Sequence, residues 1–209
     1  MRLNQPLLCL KITSMLYSSF RKGSLIPYII ERCRLIIARP MCGAVYPSKL
    51  IEKTKRQAIW EVLIPGRGSV FMSAESGYIN EKLFVIHADT EKFYRMWFKD
   101  SSPWNLYVTN ACPIRRNMHR DYKYGEAIVG FLCGIENPVP LADIGSLAHI
   151  HRENIIFTNG VTRTMWLISN HAPSFPVVVS NEHDARFLNK HFGLTPNPIS
   201  FLELFGRKV

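Results

Sequence analysis

The 209-residue sequence predicts an α+β fold of mixed strands with peripheral helices. Two kinds of segment point to this class. Short apolar runs bounded by Gly, Pro, Asn and Ser are typical of strands, and amphipathic segments with capping residues at their starts are typical of helices. A content of 47% hydrophobic and 20% charged residues, with no internal repeat, fits a globular protein with a sizeable core.

Positive charge is concentrated at the amino-terminal end. Residues 1–56 hold eleven Lys and Arg against two Glu, a net charge of +9, whereas residues 57–209 carry a net charge of +1. We therefore divide the chain into a basic helical segment, 1–56, and a single α+β domain, 57–209. The basic segment suits a polyanion, either nucleic acid or an anionic membrane face, and it equally suits a solvated basic helix pair.

The first forty residues have a helical pattern that Pro40 ends, with Ile29, Ile30 and Ile36 among the apolar positions and Arg32 among the charged ones. Packing of this amphipathic stretch against the main body is the favoured interpretation, and contact with a membrane surface is the alternative. Charged residues interrupt every apolar stretch before the roughly 20 residues of a membrane span, and no secretory leader is evident. Five cysteines, an odd number with no C-x-x-C pair, suggest neither a disulfide framework nor a structural zinc site. A reducing cytoplasm is therefore the expected compartment.

The middle of the chain predicts a β-hairpin, a further strand and a helix. The hairpin comprises Ile59–Ile64, a turn at Pro65–Gly68 and Val70–Ser73. The strand is Leu83–Ile86, and the helix begins at Asp89 or Thr90 and runs to Lys99. Gly66 and Gly68 belong to the hairpin turn, since the lysine and serine or threonine of a phosphate-binding P-loop do not follow them.

The carboxy-terminal half predicts more alternating elements after a broken aromatic segment at Pro103–Pro113. Ala127–Cys133 is predicted as a strand, and Asn181–Phe192 as a helix that Asn181 caps and Gly193 ends. A short apolar segment from Asn197 to Val209 closes the chain.

The strongest candidate site is a turn between a strand and a helix. Asn159-Gly160 follows the apolar run Ile155–Phe157, and Thr162, Arg163 and Thr164 fall where the helix begins. A helix start presents unpaired N–H groups and partial positive charge to an anion, and Arg163 adds a permanent cation. A plain strand-to-helix connection with Arg163 at the surface is the alternative.

The turn Gly160-Val161-Thr162-Arg163, followed by the Pro-Val strand Phe175–Val179, resembles the ParB/sulfiredoxin superfamily. Ile135–Ile144 is similar to the strand leading into that core, so the resemblance covers about residues 135–180. The flanking Pro40–Gly43 and Phe71–Gly77 segments resemble the plasmid fertility inhibition factors, a family that blocks conjugation-type, type IV DNA transfer. Threonine at position 162, where sulfiredoxins have their cysteine, argues against peroxiredoxin repair.

The resemblance implies an ATP- and Mg²⁺-dependent ATPase and DNase that acts on transferred DNA in the bacterial cytoplasm, with peripheral contact to the inner membrane as an option. It implies catalytic roles for Arg163 and Asp143, with Asp143 also linked to the metal. The residues implied to bind the nucleotide are Asn159, Gly160, Val161, Thr162, Arg163 and Thr164. The alternative is a protein without catalysis that blocks the secretion coupling ATPase or its nucleoprotein cargo. Asp143 can also be a simple turn cap.

Two further groups of residues are candidates for binding. Positive charge and aromatic rings alternate between positions 115 and 124, which suits the grip of a nucleic-acid backbone as well as it suits a solvated loop. The predicted nucleic-acid contacts are Arg115, Arg116, Arg120 and Lys123. His149 and His151 have a spacing compatible with a metal, but without a third ligand a partly exposed pair is favoured over a metal centre.

Overall fold

The computed structural model describes residues 26–37, 44–76, 82–99, 112–146 and 155–206, and these confirm the α+β class. The strands are β1 Lys49–Lys53, β2 Gln57–Ile64, β3 Gly68–Glu75, β4 Phe84–Asp89, β5 Val139–Pro140, β6 Ala142–Ser146, β7 Ile155–Asn159, β8 Ser174–Val179 and β9 Ile199–Ser200. The helices are α1 Ile26–Ile37, α2 Thr90–Phe98, α3 Tyr124–Leu132, α4 Val161–Ser169, α5 Glu182–Phe192 and α6 Phe201–Phe205. Short 3-10 turns occupy Arg115–Arg120 and Gly134–Glu136.

The first sheet has the strand order β1-β2-β3-β5 and contains the predicted hairpin. β2 and β3 pair antiparallel, with Trp60 opposite Met72, around a turn at residues 65–67. β1 adds a largely exposed edge strand to β2. Because β1 lies within residues 1–56, that segment is not helical throughout, and the predicted boundary after residue 56 falls inside a sheet.

The second sheet has the order β7-β6-β8-β4-β9, in which β6 runs parallel to β8 and the other neighbours are antiparallel. The chain passes from the first sheet to the second at Leu141, between β5 and β6. The N–H of Leu141 donates to the carbonyl of Ser73 on β3 at 2.9 Å. The two sheets are therefore joined at the point where the chain changes from one to the other.

The core is centred on Phe93, a fully buried residue of α2. Its ring makes edge contacts with those of Trp97, Phe157, Phe175 and Phe192, at centroid distances of 5.0–6.3 Å. These rings come from α2, β7, β8 and α5. One aromatic side chain thus ties two helices to the sheet that carries the candidate site.

Helix α1 packs against the body, as its amphipathic sequence predicts. Leu35 is buried, and the Tyr28 ring stacks on Phe98 of α2 at 5.6 Å. The Tyr94 hydroxyl donates to the Glu31 carboxylate at 3.0 Å, so one acidic side chain of this basic segment is buried with a partner.

The strand predicted over Ala127–Cys133 is wrong, because residues 124–132 form helix α3. A short apolar run does not distinguish a strand from a helix, and tertiary packing decides. Phe131 stacks on Trp166 of α4 at 4.3 Å, while the Tyr124 hydroxyl is 2.7 Å from that of Ser169. Positions 124 and 131 are seven residues apart, so only a helix turns both toward α4.

The helix ends predicted from capping residues are confirmed. The Asp89 carboxylate accepts the N–H groups of Glu91 and Lys92, both at 3.1 Å, at the start of α2. The Asn181 side chain accepts the N–H of Asp184 at 2.7 Å, and α5 ends at Gly193. In the described ranges, no helix has the length and apolar content that crossing a bilayer requires.

Truncation of the central aromatic residue tests the core. We expect Phe93→Ala to lower the free energy of unfolding by about 3–5 kcal/mol, because it removes a fully buried ring and leaves a cavity. Leu63→Ala is the matched control: Leu63 is 60% exposed, and its loss should cost less than about 0.5 kcal/mol. Urea denaturation measures both values, and a loss below about 1 kcal/mol for Phe93→Ala contradicts this view of the core.

His87 on β4 makes the fold sensitive to acid. It is 4% exposed, lies edge-on to Trp60, and desolvation lowers its pKa to about 4. Because the unfolded state binds a proton below about pH 6.5 and the folded state does not until about pH 4, stability should fall by about 3 kcal/mol across that interval. Thermal melting at several pH values should show a shallower decline for His87→Phe, whereas the exposed His119→Phe should keep the wild-type slope.

Candidate functional site

A cleft of about 610 Å³ lies where the end of β7 and the start of α4 meet helix α3. One wall is the β7–α4 turn, residues 158–163, and the opposite wall is the segment 121–123 with one face of α3. The cleft is of the size that holds a nucleotide-sized ligand. The cleft brings the Gly160 turn next to the basic and aromatic segment 115–124, although the two are distant in sequence.

The turn depends on a glycine held in the left-handed region. Gly160 has φ +90°, and a Cβ there would lie 2.7 Å from the Ala142 Cα on β6. A side chain at this position would therefore push the turn away from the sheet. Gly160 is the N-cap of α4 without any side-chain cap, and in the described ranges the N–H groups of Val161, Thr162 and Arg163 have no partner. Three donors of the helix start thus remain for a ligand.

Arg163 is anchored at the junction of the two sheets. Its Nη1 donates to the carbonyls of Pro140 and Leu141, at 2.6 and 3.2 Å. Desolvation lowers the pKa of the guanidinium, but a group with so high a pKa stays charged. Across the described ranges, Nε and Nη2 have no hydrogen-bond partner, and the side chain lines the cleft. A positioned cation therefore faces the space in front of the helix start.

The threonines of the turn divide between the cleft and the core. The Thr162 hydroxyl lines the cleft and donates to the Asp121 carboxylate at 3.1 Å. Thr164 is fully buried, and both its hydroxyl and its N–H donate to the Gly160 carbonyl, at 3.0 and 3.1 Å. The predicted contact of Thr164 with phosphate is therefore wrong, because this buried residue stabilises the turn from the interior. Asn159 and Val161 do line the cleft.

The basic and aromatic segment contributes Tyr122 and Lys123 to the opposite wall. Tyr122 is 88% exposed, and the Lys123 ammonium lies 5.4 Å from the centre of its ring. An exposed ring next to a cation is a platform on which a base can stack while its phosphate is neutralised. Of the four predicted nucleic-acid contacts, Lys123 is the one that lines this cleft together with the Gly160 turn.

The other predicted nucleic-acid contacts lie elsewhere, and Arg115 needs correction. Its side chain is buried, its Nη2 pairs with the Glu91 carboxylate at 2.7 Å, and its guanidinium lies over the Tyr94 ring. Burial in an ion pair makes Arg115 a structural cation that has no access to DNA. Arg116 and Arg120 are exposed but do not line the cleft.

Asp143 lies in a second cleft, of about 570 Å³, on the other side of Arg163. The two clefts share Thr158, Asn159 and Arg163 as lining residues. Antiparallel pairing of β6 with β7 places Asp143 opposite Asn159. The carboxylate is half-buried, desolvation raises its pKa, and the Ser180 hydroxyl donates to it at 3.4 Å. A bound cation would offset the desolvation that raises this pKa.

A divalent cation would find few ligands before a nucleotide binds. In the described ranges, no three His, Cys, Asp or Glu side chains are grouped closely enough to hold a metal. Mg²⁺ is commonly held by one or two carboxylates together with substrate phosphates, and Asp121 and Glu126 line the first cleft while Asp143 lines the second. Asp121 and Glu126, with Asp143 in the neighbouring cleft, are therefore the residues that would hold a Mg²⁺ together with a phosphate ligand. The predicted pair His149 and His151 lies outside the described residues.

Asp121 and Glu126 also line the cleft, and neither is among the site residues predicted from the sequence. Asp121 follows the basic run 115–120, and its carboxylate also accepts the N–H of Lys123 at 3.0 Å. The local signal was an Asp just before an apolar segment, which is a helix-start pattern. Because the sequence predicts a strand over Ala127–Cys133, it does not bring Asp121 and Glu126, which precede that segment, to the turn.

Comparisons with known proteins agree on one family. The model of the plasmid fertility inhibition factor family, PFIN, matches residues 85–193. Protein osa of Shigella flexneri is 29% identical over 162 residues, which are 77% of this chain and 82% of that protein. The crystal structure of the oncogenic suppression activity protein, a plasmid fertility inhibition factor, superposes with a TM-score of 0.70 at 26% identity, covering 83% of this chain and 89% of that one.

The glycine requirement of the turn can be tested against a second glycine. Gly160→Ala should lower the free energy of unfolding by about 2–4 kcal/mol, since it combines a strained φ with a clash against the Ala142 backbone. Gly66→Ala is the control, because Gly66 has φ +75° but no atom within 4 Å of its added Cβ. Urea denaturation should give a smaller loss for Gly66→Ala, and equal losses contradict the close approach as the reason for Gly160.

Proposed function

This chain belongs to the plasmid fertility inhibition factor family, and we propose that it blocks conjugation-type, type IV DNA transfer by binding ATP in the cleft at Gly160. In this proposal the core around residues 135–180 is of the ParB/sulfiredoxin type. The protein acts in the cytoplasm of the donor bacterium as an ATPase and DNase that degrades DNA entering the secretion channel. Peripheral contact with the inner membrane would bring it near that channel.

One observation carries the proposal: donors from two segments that are distant in sequence converge on one cleft. The free N–H groups at 161–163, the Arg163 guanidinium and the Lys123 ammonium all line it. A triphosphate needs several fixed donors, and a helix start next to two cations supplies them. The exposed Tyr122 ring offers a stacking surface for the adenine or for a DNA base.

The same residues have definable roles in phosphoryl transfer. Arg163, held by the Pro140 and Leu141 carbonyls, stabilises negative charge on the transferred phosphoryl group without having to reorganise. Asp121, Glu126 and Asp143 are the carboxylates available to a Mg²⁺ that accompanies the nucleotide. When bound, Mg²⁺ neutralises phosphate charge and orients the attacking water. The exposed Arg116, Arg120 and Lys123 provide the contacts to DNA.

A second function is favoured by the way Arg163 is bound. Its Nη1 is engaged by two main-chain carbonyls, so part of the guanidinium already has a structural role at the sheet junction. The alternative is therefore a protein that binds ATP without hydrolysing it. It would block transfer by occupying the secretion coupling ATPase or its nucleoprotein cargo.

Removal of either cation of the cleft tests nucleotide binding. Lys123→Ala should weaken ATP binding about five- to tenfold, because it removes one charge-assisted contact, and Arg163→Ala should weaken it more than tenfold. Arg116→Ala, an exposed cation outside the cleft, is the control and should bind like the wild type. Calorimetric titration with Mg²⁺ and ATP measures the affinities, and thermal melting checks that Arg163→Ala is folded.

Incubation with ATP, Mg²⁺ and linear DNA then separates the two functions. The enzyme predicts nucleotide-dependent degradation that Asp143→Asn abolishes while ATP binding persists. The blocking protein predicts that DNA and ATP stay intact in this assay. It also predicts that the wild type still inhibits conjugation and that Lys123→Ala does not. If ATP does not bind at all, both versions of the proposal are contradicted.

A further inference from the structure

A second concave surface lies between α1 and α2, on elements that do not form the cleft at Gly160. We call it the α1–α2 groove and define it by an apolar floor of Leu35, Ile36 and Met96 and a basic rim of Lys92, Arg95 and Lys99. Its volume is about 610 Å³. Neither the family match nor the nucleotide proposal gives this surface a role.

The groove follows from helical spacing and is formed in advance. Positions 92, 95, 96 and 99 are on one face of α2, and positions 32, 35 and 36 are on one face of α1. The Tyr28–Phe98 stack at 5.6 Å fixes the two helices to each other. The Arg32 guanidinium also donates to the Lys99 carbonyl at 3.2 Å. A ligand would therefore meet a rigid surface and would not have to order it.

The apolar floor of the groove has one exposed side chain. Ile36 is 77% exposed, whereas Leu35 and Met96 are 6% and 7% exposed. Ile36 and the apolar stems of the basic side chains around it are therefore the apolar surface that a partner can cover.

The charge of the rim selects the chemistry of that partner. Arg32, Lys92, Arg95 and Lys99 line the groove, and none of its described lining residues is Asp or Glu. Lys92 contacts the Asp89 carboxylate at 3.4 Å, and for Arg95 no ion pair is found in the described ranges. A basic partner segment would be repelled here, whereas a segment with acidic flanks would be attracted.

We propose that the α1–α2 groove binds an acidic amphipathic helix of a partner protein. The apolar stripe of that helix covers Leu35, Ile36 and Met96, and its Asp or Glu residues pair with Arg95 and Lys99. A concave groove between two helices accepts a helix along its length, which is a common mode of peptide recognition. A flat anionic membrane would meet the exposed Ile36 but would leave the rest of the concave floor uncovered.

Fluorescence anisotropy with the full chain tests this proposal. The probe is a labelled synthetic peptide of about 18 residues, with Leu at i, i+3, i+4 and i+7 spacing and Glu on the flanks. Controls are a scrambled peptide of the same composition and a peptide with Lys in place of Glu. We expect the patterned acidic peptide to bind at least about tenfold more tightly than either control, with affinity falling as salt rises.

Exposed substitutions locate the binding. Arg95→Glu and Ile36→Ser should each weaken the patterned acidic peptide about tenfold. Arg67→Glu and Leu63→Ser make the same changes at exposed positions of the β2–β3 hairpin and should leave binding unchanged. Any of three results overturns the proposal. The scrambled peptide binds as tightly as the patterned one, the hairpin variants lose as much affinity as the groove variants, or the protein binds phosphatidylglycerol vesicles but not the peptide. ATP binding should persist in Arg95→Glu, so failure here is distinguishable from failure at the phosphate cleft.

Discussion

The contact between Gly160 and strand β6 determines how the rest of the site is arranged. With φ +90° and no side chain, the turn can lie directly on Ala142, where a Cβ would come within 2.7 Å of the neighbouring Cα. Because α4 begins at the next residue, this approach fixes where its first N–H groups point. It also places Arg163 within reach of the Pro140 and Leu141 carbonyls at the junction of the two sheets. The position of the unpaired N–H groups at the cleft thus follows from a backbone contact.

That arrangement explains why one residue can serve both fold and site. Arg163 uses one nitrogen to hold the link between the sheets and presents the rest of its guanidinium to two clefts. A side chain restrained in this way needs little reorganisation to stabilise phosphate charge. The same restraint limits how far the guanidinium can follow a reacting group.

Much of the architecture could be predicted from local signals. The Pro65–Gly68 turn, the Asp89 and Asn181 caps and the strand-turn-helix at Gly160 each have a short-range physical cause, and the structure agrees with each. Helix α3 could not be predicted, since its apolar run is stabilised by Phe131 stacking on Trp166, which is distant in sequence. The burial of Arg115 was hidden for a similar reason: its partners Glu91 and Tyr94 lie on another element. Asp121 and Glu126 lie just before or within α3, so they could not be placed at the cleft without that helix. The turn could therefore be predicted from the sequence, and the opposite wall of the cleft could not.

The central claim is that the start of α4 is the part of the molecule that binds phosphate. The most direct measurement is an NMR titration of the ¹⁵N-labelled protein with ATP, followed through the backbone amides. The account predicts that the amides of Val161, Thr162 and Arg163 shift furthest and saturate together, because their N–H groups are unpaired in the described structure. Saturable shifts elsewhere with these three amides unmoved, or no saturable shift in any amide, would contradict it.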